Sequence, residues 1–158
     1  MPIYLQIEGI QGDATHETHR QWTDIQALHW DVARNMNTAA GSTANREASE
    51  PTVSEMILTK VSDSSSTKLF QEACTGKTGK RAVIHLVTTG SPGDTYIEYT
   101  LTNTLVANYS IDTSGERPVE TIRLNFTKME VKYIPYDEMN NPKSPMIASY
   151  DLTTTKSA

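Results

Sequence analysis

The heptapeptide Ile3-Tyr4-Leu5-Gln6-Ile7-Glu8-Gly9 decides how the rest of the chain is read. Its aliphatic residues, Ile3, Leu5 and Ile7, alternate with Tyr4, Gln6 and Glu8, and Gly9 ends the run. Side chains of a strand point to opposite faces with period two, so this pattern predicts a strand buried on one side and wet on the other. The same period recurs downstream. Over 22–33 it places Leu28, Trp30 and Val32 on one face, read as core, and Ile25, Ala27 and His29 on the opposite face. Further β-branched runs predict strands over about 52–61, 81–89, 95–111 and 118–134. Gly90-Ser91-Pro92-Gly93-Asp94 supplies the turn between two of them, and 112–118 the next.

One helix interrupts the strands. Asp63, or a serine among Ser64, Ser65 and Ser66, is placed to cap it. Leu69, Phe70, Ala73 and Cys74 give the helical spacing of an inward stripe, and Gly76 stops it. Between the second and third strands, 35–51 is small, polar and without period, too long for a simple connection. It reads either as a loose surface loop or as an arm that orders against a partner. Beyond Pro135 the chain reads as irregular and ends in a polar tail. The fold class is mostly β, a two-sheet β-barrel with one flanking α-helix and a long extended loop. A single domain spans 1–158, with its core over about 3–135 and a tail over 136–158.

Composition narrows the function classes. The 158 residues carry 14 Lys and Arg against 19 Asp and Glu, a net charge of −5. That balance lacks the clustered basic excess needed to neutralise nucleic-acid phosphates. A hydrophobic share of 37% suffices for antiparallel strands with one solvated face. The one cysteine, Cys74, leaves no internal disulfide and no multi-cysteine metal cluster, and its place on the helix stripe makes it a small hydrophobe. The first residues, Met1-Pro2-Ile3-Tyr4, lack the basic segment and apolar run of a signal peptide, and no later stretch is long and apolar enough to span a bilayer.

Catalytic signatures are equally sparse. His16 and His19 stand three apart, yet no further ligand follows at a zinc-site spacing, so they read as solvated loop histidines and no metal site is expected. There is no Gly-x-Ser-x-Gly elbow, and Thr75-Gly76-Lys77-Thr78-Gly79-Lys80 does not complete a phosphate-binding loop. No carboxylate pair stands out as shielded from water, as acid catalysis would need. The expectation is no catalytic residue and no cofactor.

Several segments together carry a resemblance: Tyr4-Leu5-Gln6-Ile7-Glu8-Gly9-Ile10-Gln11-Gly12, Trp22-Thr23-Asp24-Ile25 leading to Trp30, and 59–70 with Ala73-Cys74-Thr75-Gly76-Lys77. Tyr99-Thr100-Leu101-Thr102-Asn103-Thr104-Leu105-Val106, Tyr109-Ser110 and 118–126 complete it. The chain resembles the Hcp (haemolysin-coregulated protein) family, tube subunits of the bacterial type VI secretion system, from about Tyr4 to Pro135. The resemblance implies homo-hexameric rings that stack into a hollow tube, hold small effector proteins in the lumen, and engage sheath and spike proteins of the apparatus. It implies synthesis in the bacterial cytoplasm and secretion without a cleaved signal peptide, with no enzymatic role and no membrane insertion. On this reading Ile25, Ala27 and His29 face the lumen, and Thr38, Ala40, Gly41, Ser42, Arg46 and Glu47 of the long loop contribute to ring assembly. A phage-type tail-tube protein and a monomeric β-barrel binding or effector module are the alternatives.

Overall fold

The structure, a computed structural model, describes residues 1–37, 47–90 and 92–157. In chain order the strands before the helix are β1 (Ile3–Ile7), β2 (Thr23–Ile25), β3 (Ala27–His29), β4 (Val32–Ala33), β5 (Met36–Asn37), β6 (Glu47–Ala48), β7 (Thr52–Val53) and β8 (Met56–Val61). Helix α1 (Ser66–Thr75) is followed by β9 (Lys80–Val87), β10 (Thr95–Asp112), β11 (Val119–Asn125), β12 (Lys128–Tyr133), β13 (Met146–Asp151) and β14 (Lys156–Ser157).

A long hairpin organises these strands. β11 and β12 run as one line along β10, broken only at Phe126 and Thr127, with Ile97 opposite Tyr133, Leu101 opposite Met129 and Leu105 opposite Asn125. The first half of β10 also pairs with β9, with an irregularity between Leu101 and Thr104 before a last pair, Thr104 opposite Lys80. Asn103 sits there with φ 55, and a Cβ on Gly79 would come within 2.7 Å of its Cα, so only glycine leaves room for the bulge. From that kink the hairpin passes out of a sheet ordered β2-β1-β9-β10-β12-β13-β14 into a second one ordered β10-β11-β8-β3.

The other corner is made at Gln26. Its N–H donates to the Thr59 carbonyl at 2.7 Å, turning the chain from β2, paired to β1, into β3, paired to β8. The two sheets thus join through two continuous segments and wrap one core, a mostly β, two-sheet architecture with a single helix. Ile3, Leu5 and Ile7 point into that core as the alternation requires, and meet Met56, Leu58, Ile84, Leu101, Ile122 and Leu124. Each such side chain contributes roughly 1.5–3 kcal/mol on full burial. Leu69 of α1, 0% exposed, covers the cluster.

Several expectations are corrected. The bend at Gln26 resets the alternation, so Ile25 is 6% exposed and belongs to the core instead of sharing the open face of Ala27 and His29. Leu28 and Trp30 pack only partly against the core, and Val32 is exposed. Phe70 and Cys74 are also exposed, because α1 lies on β10 along a narrow stripe centred on Leu69. Ser65 holds the N-cap position, but its hydroxyl donates to Asp63 Oδ1 at 2.5 Å and accepts from no backbone N–H of the helix. Gly76 does end the helix, its N–H donating to the Glu72 carbonyl at 2.9 Å. The stretch past Pro135 is less irregular than its composition suggests, since β13 adds to β12 and β14 to β13.

Candidate functional site

The long segment after β3 is built as a ribbon. β4 pairs with β7, Val32 opposite Val53, and β5 pairs with β6, Met36 opposite Ala48 and Asn37 opposite Glu47. Hydroxyls fasten its base: Asp31 N–H donates to Ser54 Oγ at 2.8 Å and Asn35 N–H to Ser49 Oγ at 3.0 Å. The expectation of a loop without regular structure therefore gives way, at its two ends, to antiparallel pairing within the chain. Glu47 lies in β6, whereas Thr38, Ala40, Gly41, Ser42 and Arg46 lie outside the described residues.

Where the ribbon meets the body, Trp30, Val32, Pro51 and Val53 face Val131 and Leu152 across an apolar cleft of about 210 Å³. Val32 is 54% exposed and Met36 52%, and Met146 and Ile147 of β13 are likewise open. Among the described residues β3 pairs with β8 alone and stands at the end of its sheet, with Ala27 and His29 exposed on it. Exposed strand edges and aliphatic side chains of this kind are surfaces for pairing with another chain. A second, polar cleft of about 610 Å³ lies between β1 and the start of α1, lined by Gln6, Glu8, Arg20, Ser64 and Lys68 among others.

Two polar clusters complete the picture. Within the core between the sheets, Lys60 and Glu120 face each other across β8 and β11 at 2.7 Å, both side chains 0% exposed. Lys60 also reaches Asp63 at 3.0 Å, and Ser62 Oγ donates to Glu120 Oε2 at 2.6 Å. Burial raises the Glu120 pKa, but hydrogen bonds from Lys60, Ser62, Ser66 and Tyr109 outweigh it and hold the carboxyl at about 2. Burial, with the Glu120 carboxylate beside it, pushes the Tyr109 hydroxyl up to about 12. Glu120, shielded from water, is thus paired with an ammonium, an arrangement that fixes structure and leaves no proton to exchange near neutrality.

On the outer face of β1 and β9, His16 and His19 are joined by His85, which sequence spacing does not bring near them. His19 Nε2 lies 2.8 Å from His85 Nδ1, and His19 Nδ1 lies 2.9 Å from His16 Nδ1. His19 is 2% exposed, so it is a packed residue and not the solvated loop histidine expected. Among the described residues, no group of three or more His, Cys, Asp or Glu is placed to hold a metal ion. Nor is any helix among them long and apolar enough to cross a membrane.

Comparisons with known proteins agree with this architecture. The model of the family described as type VI secretion system effector, Hcp, matches residues 4–133. The structure resembles one described as a type six secretion system protein, at 21% identity, over 99% of each chain, with a TM-score of 0.91. It also resembles Hcp1 from Salmonella typhimurium, at 23% identity over 99% of this chain and 98% of that one, TM-score 0.79. A type VI secretion system effector from Yersinia pestis matches at 23% identity over 94% and 98%, TM-score 0.76. No curated protein sequence matches significantly. With the family model covering most of the chain and the two-sheet fold shared throughout, the protein belongs to the Hcp family of type VI secretion system effectors.

Proposed function

We propose that this chain is a structural tube subunit: six copies close into a ring, rings stack into a hollow tube, and the lumen holds small effector proteins during export. The observation that carries the reading is the ribbon of β4–β7 and β5–β6. It presents Val32 and Met36 to solvent, beside an apolar cleft, on a body whose own core is already complete. Head-to-tail ring closure needs two different complementary patches on each copy, and the ribbon with the β3 edge and the β13 face supplies candidates for both. Each copy adds a net charge of −5, yet at physiological salt the screening length is about 8 Å, so local contacts decide association.

On this reading Ala27 and His29, open on β3, are the residues offered to the lumen, and sheath and spike proteins of the secretion apparatus are the partners outside the ring. The subunit acts by assembly and transports no proton or group in a chemical step. Negative-stain imaging of the purified protein tests the proposal: annular particles with a central hole are the expected result, and a field of featureless single subunits would oppose it. A variant lacking 38–48 should fold normally but stack poorly.

A further inference from the structure

The contacts of His16, His19 and His85 form a line whose hydrogens can be counted. His16 Nε2 faces the Pro92 carbonyl at 3.2 Å, and His16 Nδ1 faces His19 Nδ1 at 2.9 Å. His19 Nε2 faces His85 Nδ1 at 2.8 Å, and His85 Nε2 faces Glu98 Oε1 at 3.7 Å. Both outer ends are oxygens that only accept, and each inner contact joins two nitrogens, so every contact in the line takes one hydrogen. Neutral imidazoles supply one each, enough for three of the four contacts; with the hydrogens aligned toward Pro92, His85 Nε2 is left bare toward the carboxylate.

One further proton therefore has a place, between His85 and Glu98. A second has none: it would set two N–H groups against each other at 2.8 or 2.9 Å. The Thr18 hydroxyl, 2.9 Å from His19 Nδ1 and 3.3 Å from His16 Nδ1, can accept from one of them but does not separate the pair. Water cannot take over, because His19 is 2% exposed, stacked on Tyr4 at 4.7 Å between centroids and edge-on to Trp22 at 4.7 Å.

We infer that this histidine line is an acid-released latch, which fastens the loop over 11–22 to the outer face of β1 and β9 while it carries at most one extra proton. The charged and titratable groups around it fit a single-proton state. Tyr4, His85, Glu98 and Lys132 stand in cross-strand register over β1, β9, β10 and β12, with Asp24 of β2 opposite Tyr4. Burial holds His85 below its ordinary value; Glu98 partly offsets this by favouring the charged form, and Lys132, 3.7 Å from Glu98, opposes it. On the loop itself Asp13, Glu17 and Arg20 are exposed, and Asp13 accepts from Ser64 N–H at 3.1 Å and from the Ser64 hydroxyl at 2.5 Å. Burial, followed by the charges His85 and His16 would bear, holds His19 at about 4. Release would free the loop's own bonds, Gly12 N–H to Gln21 carbonyl at 2.8 Å and Ala14 N–H to Trp22 carbonyl at 3.0 Å, and uncover Tyr4, Ala14 and Val87.

Amide hydrogen exchange of the full chain between neutral pH and pH 4 tests the latch, after correction for intrinsic exchange. The line holds one extra proton and three free imidazoles take up three, so opening is linked to two protons and grows by up to about a hundredfold per pH unit, and Gly12, Ala14, Gln21 and Trp22 should lose protection together at that slope while Leu5 and Ile84 keep theirs. His19→Gln, which donates and accepts without titrating, should cut the slope to about tenfold per pH unit. If that loop is already open at neutral pH, His85→Gln decides in its place and should shift opening to lower pH. Loop protection without pH dependence, or lost only together with Leu5 and Ile84, would overturn the latch.

Discussion

The ladder between β8 and β11 and the ladder between β4 and β7 are both antiparallel pairs rich in aliphatic residues, yet they have opposite fates. Met56, Leu58, Ile122 and Leu124 on the first are all 0% exposed, while Val32 on the second is 54% exposed. Residue type does not separate them. Neighbours do: β8 and β11 have sheet on both sides and core beneath, whereas the ribbon is two strands wide, and an isolated two-stranded ribbon is marginal in water. The body folds on its own resources, whereas on the proposed function the ribbon is completed by another copy.

The largest expected effect lies in the body. Lys60→Met strands the Glu120 carboxylate in the core and should cost about 3–5 kcal/mol in urea denaturation, with Lys60→Met/Glu120→Leu recovering most of it. A loss near zero for the single variant would blur the distinction between body and ribbon. Next, Leu69→Ala should cost about 2–5 kcal/mol by opening a cavity beneath α1.

Acid should act on the body in two stages. The His19 pKa, about 4 when folded, lies below its ordinary value of 6.5, so the unfolded chain binds protons first. The stability this lends is complete above pH 6.5 and fades as pH falls toward 4. Glu120, at about 2 against an ordinary 4.5, lends stability that is complete above pH 4.5 and fades toward 2. A thermal midpoint that stays flat from pH 7 to 4 would contradict the first stage. The smallest stability effect belongs to the ribbon: Val32→Asp should shift unfolding by no more than about 0.5 kcal/mol while abolishing rings seen by electron microscopy.

Strand content was legible because period two is local, and the interior pair left a mark as well. Lys60 is in phase with Met56 and Leu58, and Glu120 with Ile122 and Leu124, so opposite charges stand where the pattern asks for core. Ile25 was misplaced because nothing in Asp24-Ile25-Gln26-Ala27 announces that the backbone turns at Gln26 to change sheets. β13 was missed because Met146 and Ile147 are neighbours, both exposed, and break any alternation. The strand exists through its pairing with β12. His85 meets His19 across 66 residues, a juxtaposition only the β1–β9 pairing creates. Of the surfaces proposed for assembly, the period placed Ala27 and His29 on an open face, and composition marked 35–51 without revealing that its ends pair.

The central claim is that the ribbon and open edges of this chain exist to meet further copies of it. Light scattering on the purified full-length chain, taken as it leaves a size-exclusion column, measures this directly. The account predicts a species of six chains, and a single chain at every attainable concentration would contradict it.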